Sequence, residues 1–287
     1  MDRVLVSIGP INIYWYSITM LTAVLTGTFL SLKESKKVGM SSYMENLITS
    51  TIICGIIGAR IYYVIFNFDS YKYDLLSIFK IWEGGLAIYG AIIGGLIAII
   101  YNAKKQEQSV IKTTDIIAPG LIIAQAIGRW GNFFNGEAHG SVVSLSFLEN
   151  LHLPKFIIDG MYINGSYYEP TFLYESIWCF LGFIVLLIIR KIAKRKTGIM
   201  TLSYFIWYGI GRLYIESLRT DSLYLGNIRI SQLVSLILII VGIIGIIIII
   251  IKQIINNKRK KEKKKWIKNM TLLSLDQALP VWQPQFI

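Results

Sequence analysis

Four arginines lie inside or at the edges of apolar segments, where a membrane would make a charged side chain costly. They are Arg60, Arg129, Arg212 and Arg219. A guanidinium at the centre of a bilayer costs about 3 kcal/mol or more, and such residues usually serve a function. Arginine stays protonated and carries a planar set of donors that matches a phosphate or a carboxylate. The arginines therefore predict a membrane protein that binds an anionic substrate.

One polar stripe is predicted on a helix around residue 212. Its members recur at spacings of three or four residues and lie within about 80° of one another, since each helical residue advances about 100°. They are Tyr208, Arg212, Glu216 and Arg219. Arg212 and Glu216 could simply neutralise each other inside a helix bundle. Because three charges share the stripe, we favour a functional role.

The densest polar cluster is the run GRWGNFFNGE at residues 128–137. Glycines on both sides of Arg129 allow sharp turns and close approach of other chains. Asn132 and Glu137 add hydrogen-bonding groups beside it. An ordinary helix end capped by an asparagine would not explain Arg129, Asn132 and Glu137 together. The run is therefore predicted to be part of a site.

Three other residues have competing explanations. Tyr89 lies in a glycine-rich run with small residues at helix-packing spacing, but a tyrosine at the membrane boundary would be explained equally well as an interfacial aromatic. Glu175 follows Pro170 at the start of an apolar segment, and helix capping accounts for much of this pattern. His139 is expected to be a loop histidine and not a general base, because no Asp or Cys stands at a diagnostic spacing.

The composition indicates how these residues are positioned. Hydrophobic residues make up 54% of the 287 positions and charged residues 16%, with a mean hydropathy of +0.56. Apolar runs of about 20 residues can cross about 30 Å of hydrocarbon. They predict an all-α polytopic membrane protein with about seven transmembrane helices, near 14–32, 47–66, 85–101, 115–134, 171–190, 199–218 and 230–251. We expect the fourth to be interrupted at Pro119 and at its paired glycines.

Lysine and arginine clusters predict the orientation of the chain. They follow the first, third, fifth and seventh predicted spans, so all fall on one side, which the positive-inside rule makes cytoplasmic. The N-terminus is then outside and the C-terminus cytoplasmic. We expect a transmembrane catalytic domain over 1–255, with an external loop region at about 135–170, and a basic cytoplasmic tail over 256–287. The net charge of +12 thus reflects topology and anionic lipid headgroups, and no nucleic-acid partner is expected.

The cysteines and histidines predict neither a disulfide nor a metal site. Cys54 and Cys179 both fall within predicted spans, no C-x-x-C spacing occurs, and the only histidines are His139 and His152. The N-terminus lacks the basic region and cleavage site of a signal peptide, so we expect the first span to be retained as an anchor.

Two rival functional classes fit the charges less well. A transporter also uses intramembrane charges and broken helices, but no two-half repeat is visible in the sequence. An intramembrane protease would need a serine with a histidine or a pair of aspartates within the spans, and neither is evident.

The 128–137 run closely resembles the signature of the prolipoprotein diacylglyceryl transferase family. Segments across most of the chain strengthen this resemblance: Trp15-Tyr16, residues 58–60, 85–90 and 170–175, and Tyr208 with Arg212, Glu216 and Arg219. The resemblance implies a multi-pass protein of the bacterial cell membrane that acts with membrane lipids around it. It implies transfer of the diacylglyceryl group from phosphatidylglycerol to the lipobox cysteine thiol of preprolipoprotein signal peptides, with release of glycerol phosphate. No metal or cofactor is implied.

The resemblance also implies roles for individual residues. Arg129 and Arg212 are expected to contact the phosphate, and the expected catalytic set is these two with Tyr89 and Glu216. The remaining substrate-binding residues implied by the resemblance are Tyr16, Arg60, Asn132, Glu137, Tyr208 and Arg219.

The residue that activates the thiol is left open, because this chain has Tyr89-Gly90 where some members have histidine followed by glycine. A phenol with a reference pKa of about 10 is a poor base for a thiol of about 8.5. Either nearby arginines favour the Tyr89 phenolate, or Glu216 or Glu137 accepts the proton, or the positive field favours the thiolate directly. From the sequence we favour the field.

Overall fold

The computed structural model describes residues 3–9, 11–193 and 196–277, and most of these residues are helical. The predicted tail 256–287 is helical as far as Gln277, and its last ten positions, 278–287, lie outside the described residues. The long helices are α1 (Trp15–Lys37), α2 (Ser41–Phe66), α3 (Ile88–Lys105), α4 (Val110–Asn135), α7 (Thr171–Ile192), α8 (Ile199–Leu218) and α9 (Ile230–Gln277). Two short helices, α5 (Leu145–Asn150) and α6 (Lys155–Gly160), follow α4.

Five of the described helices are long and apolar enough to cross a membrane, judged by length and composition. They are α1, α2, α4, α7 and the Ile230–Lys263 part of α9. The other two predicted spans are also helical, as α3 and α8, but polar residues interrupt their apolar character. Helix α8 carries Arg212 and Glu216, and α3 ends in two lysines. The structure therefore supports a mainly helical membrane protein with several spans.

Helix α4 is the element that positions the other helices of the site. It packs against α1, α7 and α8, while α2 packs chiefly against α3. Close contact between α1 and α4 depends on glycine, because a Cβ atom on Gly27 would lie 2.9 Å from the carbonyl oxygen of Gly120. Small residues of this kind are typical where membrane helices approach closely. The apolar core between α4, α7 and α8 includes Ile122, Leu186 and Tyr204.

The interruption expected in the fourth span is absent, because α4 runs as one helix through Pro119. Proline lacks the N–H that would donate to the carbonyl oxygen four residues earlier, which belongs to Asp115. Nη2 of Arg190, on α7, donates to that oxygen at 3.0 Å. A neighbouring helix thus supplies the missing donor, which is how proline is tolerated at membrane depth.

A buried ionic network joins α1, α4, α7 and α8 at the end of the bundle where Asp115 lies. The side chain of Asp115 accepts hydrogen bonds from the backbone N–H of Gly198, the residue before α8, and at 2.8 Å from that of Thr201 in its first turn. Arg190 also pairs with Glu34 of α1 at 3.2 Å. A carboxylate at a helix N-terminus satisfies unpaired donors and is favoured by the helix dipole. The network therefore fixes where α8 begins.

Short strands and turns occupy the connections. Strands β1 (Val4–Ile8) and β2 (Ile11–Tyr14) form an antiparallel hairpin before α1. Strands β3 (Val142–Val143), β4 (Tyr162–Ile163) and β5 (Ser166–Tyr168) form a sheet in the order β3-β5-β4. Strands β6 (Tyr224–Leu225) and β7 (Ile228–Arg229) form a hairpin after α8. Three 3-10 turns, Phe68–Ser70, Leu75–Phe79 and Ile81–Glu83, connect α2 to α3.

The segment predicted as a loop at about 135–170 is folded. Helices α5 and α6 and the three-stranded sheet pack on the end of α4 around a small core. Its buried members are Phe133, Leu148, Ile157, Met161 and Phe172. This core holds the 128–137 run between α4 and the start of α7.

The chain divides into two compact units, one up to Ile243 and one beginning at Ile244. The first contains every element up to the start of α9. The described part of the second is the continuation of α9, whose basic residues from Lys258 to Lys263 are exposed. The domain boundary at 255/256 stays a prediction.

Candidate active site

Glu175 lies between two arginines at the point where α4, α7 and α8 meet. Its Oε1 is 2.7 Å from Nη2 of Arg129, and its Oε2 is 2.9 Å from Nη1 of Arg212. Only 3% of Glu175 is exposed. A buried carboxylate is tolerated when guanidinium groups pair with it directly. Glu175 therefore brings the two arginines into a single cluster. In the sequence, helix capping explains much of the pattern around this residue.

Glu216 completes this cluster of four charges. Nη2 of Arg212 is 2.6 Å from Oε2 of Glu216, one helical turn further along α8, and Glu216 is 1% exposed. Two carboxylates thus balance two guanidiniums. The two ion pairs of Arg212 engage two of the five N–H donors that an arginine carries. Its other donors remain to be satisfied by further groups or by an anionic ligand.

A row of polar side chains leads from Arg129 back along α4 and α8. Tyr208 lies within electrostatic range of Arg129, whose Nη1 lies 3.5 Å from Oδ1 of Asn132. Tyr208 stacks on Tyr204 with ring centroids 5.7 Å apart. Nε2 of Gln125 donates to the Tyr204 hydroxyl at 3.0 Å. These side chains form a continuous polar path beside the apolar core.

Glycines at the end of α4 bring Tyr16 and Glu137 close to Arg129. A Cβ atom on Gly131 would lie 2.9 Å from Cδ2 of Tyr16, so the tyrosine ring of α1 packs directly on the α4 backbone. Gly136 ends α4 with a φ of +66°, which turns the chain back so that the Glu137 N–H binds the Asn132 carbonyl at 2.9 Å. Tyr16 lies within electrostatic range of both Arg129 and Glu137.

Arg60 occupies a different place from the other arginines. It is 7% exposed, and its nitrogens donate to carbonyl oxygens of the segment between α2 and α3. The three shortest bonds, each 2.7 Å, go to Ser77, Ile78 and Gly84. Every guanidinium nitrogen is thereby engaged, which gives Arg60 the role of fixing this segment. Its contact with substrate stays a prediction.

Arg219 does not belong to the helical stripe predicted from the sequence. Helix α8 ends at Leu218, and Arg219 has extended backbone angles. Its Nε and Nη2 donate to the two carboxylate oxygens of Asp221, each at 2.9 Å. Burial raises the pKa of Asp221, but the hydrogen bonds and positive charge of Arg219 outweigh it and lower that pKa. Local pairing with Asp221 at the helix end explains why Arg219 leaves the stripe.

Tyr89 lies on the first turn of α3, half-buried beside α2. Its ring is 6.3 Å from that of Tyr62. Among the described residues, none of the hydrogen bonds or ion pairs of Arg129 or Arg212 involves Tyr89. His139 follows the end of α4, where its Nδ1 contacts the carbonyl oxygen of Gly140 at 3.1 Å.

An open apolar groove of about 540 Å³ runs between α1, α4 and α7. Its lining includes Trp15, Ile18, Ile123, Ile127, Ile177 and Phe180. Ser176, the residue after Glu175, also borders the groove and donates to the carbonyl of Ala126 at 2.9 Å. The groove is therefore adjacent in sequence and in space to the charged cluster.

The cluster and the groove together suit an amphipathic anion. Paired guanidiniums in a site that excludes water interact strongly with a phosphate, because the effective dielectric constant is low. The groove offers apolar surface for hydrocarbon. In the part of the chain that the structure describes, no three His, Cys, Asp or Glu side chains are placed to hold a metal ion.

Comparison with known proteins identifies related chains. The family model described as prolipoprotein diacylglyceryl transferase matches residues 3–248. A protein of Listeria innocua serovar 6a, named phosphatidylglycerol–prolipoprotein diacylglyceryl transferase, is 52% identical over 244 residues, which cover 85% of this chain and 88% of that protein. Proteins of the same name from Ligilactobacillus salivarius and Bacillus cereus strain G9842 are each 48% identical over 247 residues. They match 85% and 86% of this chain, and 92% and 91% of their own lengths.

Proposed function

Because this chain belongs to the prolipoprotein diacylglyceryl transferase family, we infer that it transfers the diacylglyceryl group of phosphatidylglycerol to the lipobox cysteine of preprolipoproteins. The cysteine sulfur forms a bond to the glyceryl carbon, and the bond from that carbon to the phosphate oxygen breaks. Glycerol phosphate leaves with the electron pair, and the thiol loses its proton. The observation that carries this function is the buried cluster of Arg129, Glu175 and Arg212.

The two arginines stabilise the leaving group. A phosphodiester carries one negative charge, and the phosphate gains charge as the carbon–oxygen bond breaks. Donors fixed at this position lower the barrier, because they need no reorganisation when the charge develops. Glu175 contacts Arg129 and Arg212 and acts as a positioning residue that holds their guanidiniums at a fixed separation.

The apolar groove takes the acyl chains of the lipid. Ile123, Ile127 and Trp130 lie between about 100° and 160° round α4 from Arg129, given about 100° per residue. The groove they line opens between α1 and α7. A lipid whose phosphate lies at Arg129 can therefore direct its acyl chains to another face of α4.

The thiol proton goes to a carboxylate outside the charged cluster. Glu175 and Glu216 balance the charges of Arg129 and Arg212, so the positive field is smaller than the arginines alone would produce. Glu137 is exposed just after the end of α4 and lies within electrostatic range of Tyr16. It is the carboxylate that a substrate thiol can reach from solvent, and we assign it the proton.

Seven spans, with the N-terminus outside and the C-terminus in the cytoplasm, place this chemistry at the outer face of the bacterial cell membrane. The lysine and arginine clusters support this orientation. The end of α4 that carries Arg129 and Glu137 then faces outward. The transmembrane catalytic domain spans 1–255, and the basic tail 256–287 lies on the cytoplasmic side, near anionic lipid headgroups.

Mass spectrometry of a lipobox peptide tests the reaction. The purified protein is incubated with the peptide and phosphatidylglycerol of one acyl composition. We expect the peptide to gain the mass of one diacylglyceryl unit, and a peptide with serine in place of the cysteine to gain none. An unchanged cysteine peptide, with the protein folded and the lipid present, would contradict the function.

A further inference from the structure

One partly buried polar pair next to the charged cluster has no role in the reaction described above. The Gln125 amide nitrogen donates to the Tyr204 hydroxyl at 3.0 Å, whereas the Gln125 amide oxygen is buried without a hydrogen-bond partner among the described residues. Buried polar groups in native proteins are nearly always paired, so an unpaired one calls for an explanation. We propose that Gln125 binds a hydroxyl of the glycerol headgroup of the donor lipid. This inference rests on the proposed function.

The position of Gln125 matches the reach of that headgroup. Gln125 lies one turn before Arg129 on α4, about 6 Å along the helix axis and within about 40° of the same face. Two tyrosines lie between them: Tyr204 accepts the hydrogen bond of Gln125, and Tyr208 stacks on Tyr204 within electrostatic range of Arg129. The five single bonds from phosphorus to the terminal hydroxyl of glycerol span about the same length as the distance along α4 from Arg129 to Gln125. A phosphate at Arg129 therefore allows that hydroxyl to reach Gln125.

The chemistry of the amide selects a hydroxyl. The unpaired oxygen accepts a hydrogen bond, and a hydroxyl can donate one. If the amide is turned by 180°, its NH₂ group takes the same place, and a hydroxyl can accept from it. A hydroxyl thus pairs with either orientation. A quaternary ammonium group can neither donate nor accept, and an ammonium group can only donate.

The diacylglyceryl side of the phosphodiester binds at a separate surface. The acyl chains need apolar surface, which the groove beside Ile123 and Ile127 provides on another face of α4. Beyond Gln125 along α4, Ile122 is fully buried in an apolar core. Gln125 therefore marks the inner end of the polar path, where a short polar headgroup would end.

A pair of matched lipids tests the proposal. Phosphatidylglycerol is compared with phosphatidylpropanol of the same acyl chains, which has the same phosphodiester charge and no headgroup hydroxyl. Transfer to a lipobox peptide is measured as kcat/KM. We expect the wild-type protein to prefer phosphatidylglycerol about tenfold, the size of one net hydrogen bond. In Gln125→Leu and Gln125→Met the preference falls to about twofold or less, because phosphatidylglycerol transfer slows and phosphatidylpropanol transfer does not.

Gln108→Leu is the matched control. Gln108 lies in the connection between α3 and α4, where its side chain donates to the carbonyl of Gln106, and this variant should keep the wild-type preference. Equal use of the two lipids by the wild-type protein would overturn the headgroup contact while leaving the proposed function intact. An equal loss for both lipids in Gln125→Met, with an unchanged thermal midpoint, would also overturn it. Transfer from neither lipid by the wild-type protein would instead refute the proposed function.

Discussion

At the scale of single residues, the charged cluster depends on Glu175, whose two carboxylate oxygens contact Arg129 and Arg212. Arg129, Arg212 and Glu216 could be found because charges in apolar segments are conspicuous. Glu175 could not, because its pairing with Arg129 and Arg212 joins positions on three helices that one sequence does not relate. Arg60 is also conspicuous in the sequence, but its burial is explained by hydrogen bonds to backbone carbonyl oxygens, and these leave no signal in the sequence.

Glu175→Gln should lower kcat for transfer by about 100-fold, which corresponds to about 2.7 kcal/mol. The amide cannot hold two guanidiniums as a carboxylate does, so the arginines lose their fixed separation. The KM for phosphatidylglycerol should stay the same or fall, because the arginine donors are released for the phosphate. Steady-state kinetics in detergent micelles would measure both constants. A raised KM with unchanged kcat would mean that Glu175 contributes to binding and not to positioning.

Tyr89→Phe should retain measurable transfer, whereas Glu137→Gln should lose most transfer at neutral pH and recover as the pH rises. Alkaline solution ionises the substrate thiol without a protein base. A high pH therefore restores transfer only to a variant that has lost the base. A pH series with a lipobox peptide measures this, with Tyr89→His as a comparison. If Tyr89→Phe is inactive at every pH while Tyr89→His is active, the tyrosine is the base and the assignment to Glu137 is wrong.

At the scale of elements, apolar length predicts helix positions but not how the helices end or interact. The spans expected near 171–190 and 199–218 coincide with α7 and α8. The break expected at Pro119 is absent because Arg190 supplies the missing donor from another helix. In the sequence Arg190 belongs to a basic cluster that predicts topology, and nothing there relates Arg190 to Glu34 or Asp115 to the start of α8.

Asp115→Ala should lower the stability of the bundle by about 2 kcal/mol, the upper range for a lost helix cap. The N–H groups of Gly198 and Thr201 would lose their acceptor inside the protein. A lower thermal midpoint in detergent, compared with wild-type protein, would show the effect. Asp159→Ala changes an exposed aspartate of α6 and should leave the midpoint unchanged. Equal midpoints for Asp115→Ala and wild-type protein would show that α8 does not depend on this cap.

At the scale of the whole molecule, composition and hydropathy indicate the class of protein, and charge distribution indicates its orientation. The structure describes a mainly helical protein with five helices apolar enough to span a membrane. The charged cluster lies near one end of α4, and the Asp115 network lies 14 residues earlier, about 21 Å along the same helix. Such a separation fits a chain whose two polar ends face opposite sides of a bilayer.

Reporter fusions test this orientation. Fusions after Lys196 and after Lys265 should behave as cytoplasmic, and a fusion after Asn150, in α5, should behave as external. The reason is that lysine and arginine are retained on the cytoplasmic side. An alkaline phosphatase and green fluorescent protein pair gives opposite signals on the two sides. An external signal at Lys196 or Lys265 would overturn the proposed topology.

We propose that Arg129 and Arg212 act together on one phosphate, and a double-mutant cycle of transfer rates is the sharpest test of this. Values of kcat/KM for phosphatidylglycerol are measured for Arg129→Lys, Arg212→Lys and the double variant, with Arg259→Lys in the basic tail as the control. Each single exchange keeps the charge but loses the planar donor set, so each should cost about 100-fold, or 2.7 kcal/mol. The double variant should be little worse than either single variant, because residues that act as a unit are not additive. Near-normal rates for either single variant, or effects that multiply in the double variant, would contradict the claim.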